Sequence, residues 1–213
     1  MKLAPTLEFE RASGHAIICG VDEAGRGPWA GPVCAAAVVL DQRNIPQGLN
    51  DSKKLSEAKR DQLFPLIIAT AEVGIGLASA QEIDEINILQ ATYLAMCRAV
   101  EALKSRPTLA LIDGNRAPKL FCATQTIIGG DAKSLSIAAA SIIAKVTRDR
   151  LMIEMDKAFP AYGFARHKGY GTEFHAAALA QHGPCTEHRN SFAPIRKLTM
   201  NSLKDSHGDS KDS

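Results

Sequence analysis

The sequence predicts an α/β domain built around a mixed β-sheet. Short apolar runs typical of buried strands come first, and segments with helical spacing then alternate with further strand-like runs. This order of elements favours helices packed against a sheet. The chain has 213 residues, nearly half of them apolar, which is enough for one domain with a substantial core.

The strands are predicted from apolar runs, one of which alternates with glycine. They are expected to include residues 16–19, 34–40, 73–78, 109–112 and 124–128. The helices are predicted from apolar residues that recur every three or four positions. They are expected at residues 56–71, 83–103, 134–159 and 172–181, the last one stopped by Gly183 and Pro184.

The composition also sets the limits of the domain. We expect residues 1–14 to form a loose leader and residues 15–200 to form the folded domain. The segment 201–213 is rich in Ser, Asp and Lys and has little to bury, so we expect it to be disordered. The sequence shows no internal repeat.

Other features concern the compartment. No apolar run approaches the ~20 residues needed to span a bilayer, and no apolar segment follows Met1 and Lys2 as in a signal peptide. The five cysteines are scattered without a Cys-x-x-Cys pair, which favours free thiols over a zinc site or disulfides. We therefore expect a cytoplasmic protein with no membrane contact.

Charge is distributed unevenly along the chain. Residues 1–113 carry a net charge of −3, whereas residues 114–200 carry +6. A basic half suits a polyanionic partner, because Lys and Arg displace condensed counterions from phosphates. Charge clusters are more often only solvated surface, so this asymmetry alone is weak support for nucleic-acid binding.

The most informative segment is Gly20–Pro28, which follows the first apolar run. Two adjacent carboxylates, Asp22 and Glu23, stand before a Gly-Arg-Gly turn. Carboxylates at a strand end beside such a turn suit a hard cation and a phosphate in one site. An isolated Asp-Glu pair is more commonly an ordinary polar exit from a strand.

This segment and five others resemble the signature of the type 2 ribonucleases H, specifically bacterial ribonuclease HII. The further matches are Leu49–Leu55, Ile112–Asn115, Gly130–Asp131, Ala139–Asp149 and His167–Tyr170. They occur in the family's order over about residues 16–198. The resemblance implies the ribonuclease H-like fold, with a mixed central sheet flanked by helices and a C-terminal helical extension.

By resemblance, four acids form the catalytic and metal-binding set: Asp22, Glu23, Asp113 and Asp131. The implied cofactor is Mg²⁺ or Mn²⁺, with two ions in catalysis, because two cations can stabilise both the attacking and the leaving oxygen. Neighbours on a regular strand point to opposite faces, so Glu23 joins Asp22 only through a bend or through its backbone carbonyl. Both options stay open.

Simpler roles exist for two of these acids. In Asp-Gly-Asn, Asp113 is also typical of a turn former. Asp131 is also suited to capping the helix predicted to start at residue 134. The family resemblance favours metal ligation for both.

Recognition of RNA requires a contact with the 2′-hydroxyl group. The resemblance assigns this contact to Gly25, Arg26 and Gly27 together with Tyr170, an aromatic residue with a polar tip. Basic residues are candidate phosphate contacts, although each could equally be solvated surface. They are Lys53, Lys54, Lys145, Arg148, Lys168, Arg189 and Arg196.

The implied activity is an endoribonuclease that hydrolyses the RNA strand of RNA–DNA hybrids. It would also cut on the 5′ side of single ribonucleotides in duplex DNA, leaving 3′-hydroxyl and 5′-phosphate ends. We expect a monomer whose partners are those nucleic acids. The alternative is a catalytically silent nucleic-acid-binding module on the same fold. Gly129 and Ala138 depart from the family's usual lysine and serine without removing a catalytic group.

Overall fold

The structure, a computed structural model, describes residues 4–198. The predicted disordered tail, 201–213, lies outside this range. Five strands, six α-helices with defined bounds and three short 3₁₀-helices lie within it, and residues 193–198 are also helical. The strands and the α-helices with defined bounds are α1 (Glu8–Ala12), β1 (Ile18–Ala24), β2 (Val33–Leu40), α2 (Glu57–Thr70), β3 (Ala71–Ala78), α3 (Ala80–Glu101), β4 (Leu109–Asp113), β5 (Ala123–Ile127), α4 (Leu135–Ala158), α5 (Phe164–His167) and α6 (Glu173–His182). The 3₁₀-helices are Ser52–Lys54, Gly130–Ala132 and Pro160–Tyr162.

The five strands form one mixed sheet in the order β3-β2-β1-β4-β5. The first three strands are antiparallel neighbours, whereas β4 pairs with β1 and β5 pairs with β4 in parallel. The prediction of an α/β domain with a mixed sheet is confirmed.

Alternation along β2 distributes the core between the two faces of the sheet. Ala35 and Ala37 belong to the buried cluster that contains Met96 of α3. Ala36 and Val38 belong to the cluster that contains Ile142 of α4. One long helix therefore covers each face, and the small side chains of β2 let both helices lie close to the strand.

The alternation of apolar residues and glycine in β3 has a packing reason. A Cβ atom on Gly74 would lie 2.0 Å from the carbonyl oxygen of Ala99, and one on Gly76 would lie 2.1 Å from that of Ala95. Both carbonyls belong to α3. The two glycines therefore allow the backbone of α3 to contact the strand directly.

The end of β1 and the start of α3 differ from the predicted positions, and the difference in β1 affects the site. Strand β1 continues through Ala24, so Asp22 and Glu23 lie within the strand and not after it. Helix α3 starts at Ala80, and its regular geometry is interrupted at Asn87, whose φ is 67°. The Asn87 side chain accepts hydrogen bonds from the backbone of Leu89 and Gln90 and thereby starts the second half of the helix.

The loose leader expected at residues 1–14 is wrong for the part that the structure describes. Thr6 forms a β-bridge with Ser134, and α1 buries Glu10 beside the start of α4. The Glu10 carboxylate accepts hydrogen bonds from the side chains of Ser134 and Ser136 and from the backbone of Ser136. Leu7 is also buried, and Phe9 packs against a core cluster. Composition missed this packing because it depends on long-range contacts with the start of α4.

The C-terminal part packs as a helical extension on α4. A separate buried cluster joins Met152 of α4 to Phe164, Leu179 and Ile195, and residues 193–198 are helical. Within residues 4–198, no helix is both long enough and apolar enough to cross a membrane.

Candidate active site

Two strands bring the first two carboxylates together. The parallel register pairs Val21 of β1 with Ile112 of β4, so the next residues, Asp22 and Asp113, follow on neighbouring strands. Val21 and Ile112 face the α3 side of the sheet, and alternation turns Asp22 and Asp113 away from it. Carboxylate oxygens of Asp22, Asp113 and Asp131 all lie within 4.8 Å of one another.

A tight turn after β5 supplies the third carboxylate. Gly129 adopts a left-handed conformation and leads into the 3₁₀-helix that contains Asp131. The Gly130 N–H donates a 2.7 Å hydrogen bond to Oδ1 of Asp113, which links the turn to the end of β4. Asp22 and Asp131 are both largely buried.

The simpler roles considered for Asp113 and Asp131, turn former and helix cap, are not observed in the structure. Helix α4 is capped by Ser134, whose side chain accepts a hydrogen bond from the backbone of Ile137, so the alternative in which Asp131 caps this helix is not observed. Asp113 bonds to Gly130 across the site, and no bond within its own Asp-Gly-Asn segment is described. Both carboxylates are directed to the shared site.

The cluster holds more negative charge than its surroundings balance. Burial raises the pKa of Asp22 well above its usual range, and the neighbouring Glu23 and Asp113 raise it further. Burial and then Asp113 raise the pKa of Asp131 to about 6. Among residues 4–198, the one ion pair described at this cluster joins Lys53 Nζ to Asp131 at 4.0 Å. Three oxygen donors and unbalanced charge fit divalent cations.

Glu23 lies at the edge of this cluster. Its carboxylate pairs with Arg26 at 3.4 Å, and burial raises its pKa while Arg26 opposes the rise. The three-carboxylate cluster does not include it, although it lines a cavity of about 420 Å³ together with Asp113. The bend at Asp22 and Glu23 that could have joined their side chains is not observed, because β1 remains regular through Ala24.

A buried arginine, Arg189, fixes the backbone of the Gly-Arg-Gly turn from the protein interior. Arg189 donates hydrogen bonds to the carbonyl oxygens of Gly25, Arg26 and Gly31 at 2.6–2.9 Å and is fully buried. Arg189 was predicted to contact phosphate, and this prediction is wrong because its guanidinium is occupied inside the protein. Its effect is to fix the backbone of the turn.

Arg148 is a second buried brace. It donates to the carbonyl oxygens of Ala30, Pro32 and Lys168 and is 1% exposed, so its predicted contact with phosphate is also wrong. A Cβ atom on Gly25, whose φ is 92°, would lie 1.9 Å from Nε of Arg148. Glycine is therefore required at this position by both backbone conformation and space.

Tyr170 stands next to the turn. Its side chain is half exposed, and its Cε1 atom would lie 3.8 Å from a Cβ atom on Gly27. The two segments are joined by a 2.8 Å hydrogen bond from the N–H of Trp29 to the carbonyl of Gly169. The structure thus brings together the Gly-Arg-Gly turn and the tyrosine that the sequence placed in one function.

The predicted lysine contacts differ in their availability. Lys53 has an 80% exposed side chain beside Asp131. Lys54 pairs with Asp51, Lys145 pairs with Asp149 at 2.7 Å, and the ammonium of Lys168 donates to the carbonyl of Ala165. Of these four, Lys53 is the best placed to meet a phosphate at the carboxylates. Arg196 is exposed on the C-terminal extension.

Sequence reasoning missed one wall of the site. The 420 Å³ cavity beside Glu23 and Asp113 is also lined by Thr92 and Tyr93 of α3 and by Arg116. Tyr93 lies within the helix predicted at residues 83–103, and nothing in the helical spacing set it apart. The polar pair Asn115 and Arg116, shortly after β4, was the available signal.

Comparison with known proteins places this geometry in a family. Residues 19–195 match the family model described as Ribonuclease HII. A ribonuclease HII of Parvibaculum lavamentivorans is 55% identical over 208 residues, covering 96% of this chain and 77% of the relative. Another, from Burkholderia thailandensis, is 59% identical over 194 residues and covers 91% and 90%. The chain belongs to the ribonuclease HII family.

Solved structures of ribonucleases H agree with this assignment. The ribonuclease H2 of Pyrococcus horikoshii aligns with a TM-score of 0.74 at 28% identity, covering 89% of this chain and 100% of that one. The ribonuclease HII of Archaeoglobus fulgidus, solved in complex with PCNA, gives 0.70 at 25% identity and covers 83% and 95%. The predicted ribonuclease H-like fold is confirmed.

Membership of the ribonuclease HII family makes the chain an endoribonuclease of the type 2 ribonuclease H class. The family depends on divalent metal ions, in agreement with the cluster of buried acids at Asp22, Asp113 and Asp131. Ribonucleases H, the class to which this family belongs, act on RNA–DNA hybrids.

Proposed function

We propose that this ribonuclease HII cleaves duplex DNA on the 5′ side of single embedded ribonucleotides, in addition to the RNA strand of hybrids. The products would carry 3′-hydroxyl and 5′-phosphate ends. The observation that carries the proposal is the position of Tyr170 beside the Gly-Arg-Gly turn, which directly follows the strand that presents Asp22.

The residues present fit two divalent cations at the carboxylates. Asp22, Asp113 and Asp131 offer oxygen ligands in one buried cluster with surplus negative charge. Two Mg²⁺ or Mn²⁺ ions there would stabilise charge on the attacking and leaving oxygens of phosphodiester hydrolysis. Glu23 would complete the set from the cavity side, by its side chain or its backbone carbonyl. The identity of the ion stays a prediction.

The chain's own groups would select and orient the ribose. The turn at Gly25–Gly27 exposes Arg26 and Gly27, whereas Gly25 is buried, and Arg189 fixes the carbonyl directions of Gly25 and Arg26 from inside the protein. Tyr170 would contact the 2′-hydroxyl and pack on the adjacent sugar. A deoxyribonucleotide lacks that hydroxyl, so the polar groups built to meet it would stay unpaired.

Phosphate contacts would keep the strand near the carboxylates. Lys53 extends from the 3₁₀-helix Ser52–Lys54 to within 4.0 Å of Asp131. Burial lowers the pKa of Lys53, but the neighbouring acids together raise it above its usual value, so Lys53 stays charged. Lys54, Lys145 and Lys168 would contribute only if they leave their present partners. The substrate affinity should therefore depend most strongly on Lys53.

A cleavage assay tests the proposal against the silent binding module. Wild-type protein and Asp22→Asn are incubated with three labelled duplexes: all-DNA, DNA with one ribonucleotide, and an RNA–DNA hybrid. We expect the wild type in Mg²⁺ or Mn²⁺ to cut the second and third, and Asp22→Asn to bind them without cutting. Binding without cleavage by the wild type in both metals would establish the silent module. Cleavage of the hybrid alone would refute incision at single ribonucleotides.

A further inference from the structure

Three histidines form a buried group behind the loop that carries Tyr170. His167, His175 and His188 are each less than 9% exposed. The rings of His167 and His175 stack with their centres 4.5 Å apart, and the Nε2 atoms of His175 and His188 lie 3.0 Å apart. None of the three belongs to the metal or ribose contacts described above.

The hydrogen-bond partners determine which ring nitrogen of each histidine holds the proton. The backbone N–H of Cys185 donates to Nδ1 of His188 at 2.9 Å, so His188 holds its proton on Nε2. His188 then donates to Nε2 of His175, which must hold its own proton on Nδ1. That Nδ1–H faces the carbonyl oxygen of Tyr170 at 3.0 Å.

The third histidine agrees with the same assignment. The N–H of Gly169 donates to Nδ1 of His167, and Nε2 of His167 lies 2.8 Å from the carbonyl of Tyr162. All three rings are thus satisfied as neutral imidazoles. Burial, and then His175, lowers the pKa of His188 to about 4, in agreement with a neutral ring at physiological pH.

The chain of hydrogen bonds runs between the two segments that are proposed to contact the ribose. His188 forms an isolated β-bridge with Ala30, next to the Gly-Arg-Gly turn, and His175 is the third residue of α6. The chain of bonds therefore starts beside the turn and ends at the backbone of Tyr170.

We propose that His175 and His188 are positioning residues for Tyr170, holding the ribose-reading loop through a directed chain of hydrogen bonds between neutral imidazoles. The proposal rests on the proposed function, in which Tyr170 contacts the ribose. His175 holds the Tyr170 carbonyl directly, and His188 sets the proton position of His175. A side chain that can only accept hydrogen bonds, placed at position 175 or 188, would remove one identified hydrogen bond from this chain.

The first test is spectroscopic and independent of activity. Protein labelled with ¹⁵N-histidine is measured at pH 7.5 by long-range ¹H–¹⁵N correlation, with signals assigned from single histidine variants. We expect His175 as the Nδ1–H tautomer and His188 as the Nε2–H tautomer, both neutral. A protonated His175, or His175 with its proton on Nε2, would overturn the proposal.

The second test measures coupling to Tyr170. His175→Phe removes both nitrogens, whereas His175→Asn keeps an amide nitrogen near the position of Nδ1; His182→Asn, exposed at the end of the same helix, is the control. On a single-ribonucleotide duplex, we expect kcat/KM to fall about tenfold in His175→Phe, with partial recovery in His175→Asn and no change in the control. A melting curve for each variant confirms folding.

A double-mutant cycle separates positioning from a general structural role. In a Tyr170→Ala background, the effect of His175→Phe on kcat/KM should disappear, because the side chain that it positions is absent. An equal tenfold loss in both backgrounds would overturn the proposal. If the wild type does not cut the single-ribonucleotide duplex at all, the proposed function fails, and the tautomers of His175 and His188 then test the hydrogen-bond chain alone.

Discussion

Replacing Asp131 by asparagine should have opposite effects on stability and activity. Asp131 is 6% exposed, and burial with the nearby Asp113 raises its pKa from 3.8 to about 6. One pKa unit corresponds to about 1.4 kcal/mol, so the charged form costs up to about 3 kcal/mol in the metal-free protein at pH 7.5. Water at the open side of the cluster reduces this free-energy cost, so we expect the charge of Asp131 to destabilise the metal-free protein by about 1–3 kcal/mol.

A neutral amide at position 131 removes this cost. In the presence of a chelator, the melting temperature of Asp131→Asn should exceed that of the wild type by on the order of 5 °C, since ~1 kcal/mol moves it by about 2–4 °C at this chain length. Mg²⁺ or Mn²⁺ should then raise the melting temperature of the wild type more than that of the variant, because a ligand stabilises the state that binds it.

Activity should change in the other direction. Asparagine keeps an oxygen ligand but loses the charge that competes with water for the cation, so cleavage by Asp131→Asn should collapse at low Mg²⁺ and recover in part at high Mn²⁺. Asp131→Ala, measured beside it, should also be inactive. Cleavage by Asp131→Asn at the wild-type rate in low Mg²⁺ would exclude Asp131 as a metal ligand. A lower melting temperature than the wild type in chelator would show that the charge of Asp131 does not destabilise the metal-free protein.

Three further outcomes are expected. Tyr170→Phe should lower cleavage at a single ribonucleotide by about tenfold, the size of one lost hydrogen bond, while salt-dependent duplex binding stays the same; an unchanged rate would show that the hydroxyl is not used. Glu10→Ala should lower the free energy of unfolding by about 2–3 kcal/mol in urea, because it leaves buried donors unpaired, whereas the exposed Glu8→Ala should not; equal effects would contradict this. Acidification from pH 7 to pH 5 should lower the free energy of unfolding by about 2 kcal/mol through His188 alone, because its pKa is about 4 when folded and 6.5 when unfolded, and the unfolded chain therefore binds more protons in this range. His188→Gln should flatten that loss, and an identical pH slope in this variant would count against it.

The sequence could predict the elements whose signals are local. Strands such as Val33–Leu40 and helices such as Leu135–Ala158 follow from periodicity, and their observed bounds differ by a residue or so. The pairing of β4 beside β1, which brings Asp113 to Asp22, is a long-range contact that no window of sequence contains. The family motifs, and not the periodicity, identified those acids together.

The buried charges show where sequence reasoning was wrong. Arg148 and Arg189 are of a residue type that often contacts phosphate. In the structure, however, the guanidinium of each donates hydrogen bonds to buried backbone carbonyls near the Gly-Arg-Gly turn. Arginine is mostly exposed in proteins, so its burial depends on carbonyls that converge only in the folded chain. For the same reason Glu10 was placed in a loose leader, although it docks α1 on α4.

We expect metal ions held by Asp22, Asp113 and Asp131 to direct cleavage of the strand immediately 5′ of a ribonucleotide. Mass spectrometry of both products, from a DNA duplex with one ribonucleotide at a known position, tests this most directly. We predict one fragment ending in a deoxyribonucleotide 3′-hydroxyl and one beginning with the 5′-phosphate of the ribonucleotide, in Mg²⁺ or Mn²⁺. A cut on the 3′ side of the ribonucleotide, a cyclic phosphate end, or an intact strand in both metals would contradict cleavage 5′ of the ribonucleotide by metal-dependent hydrolysis.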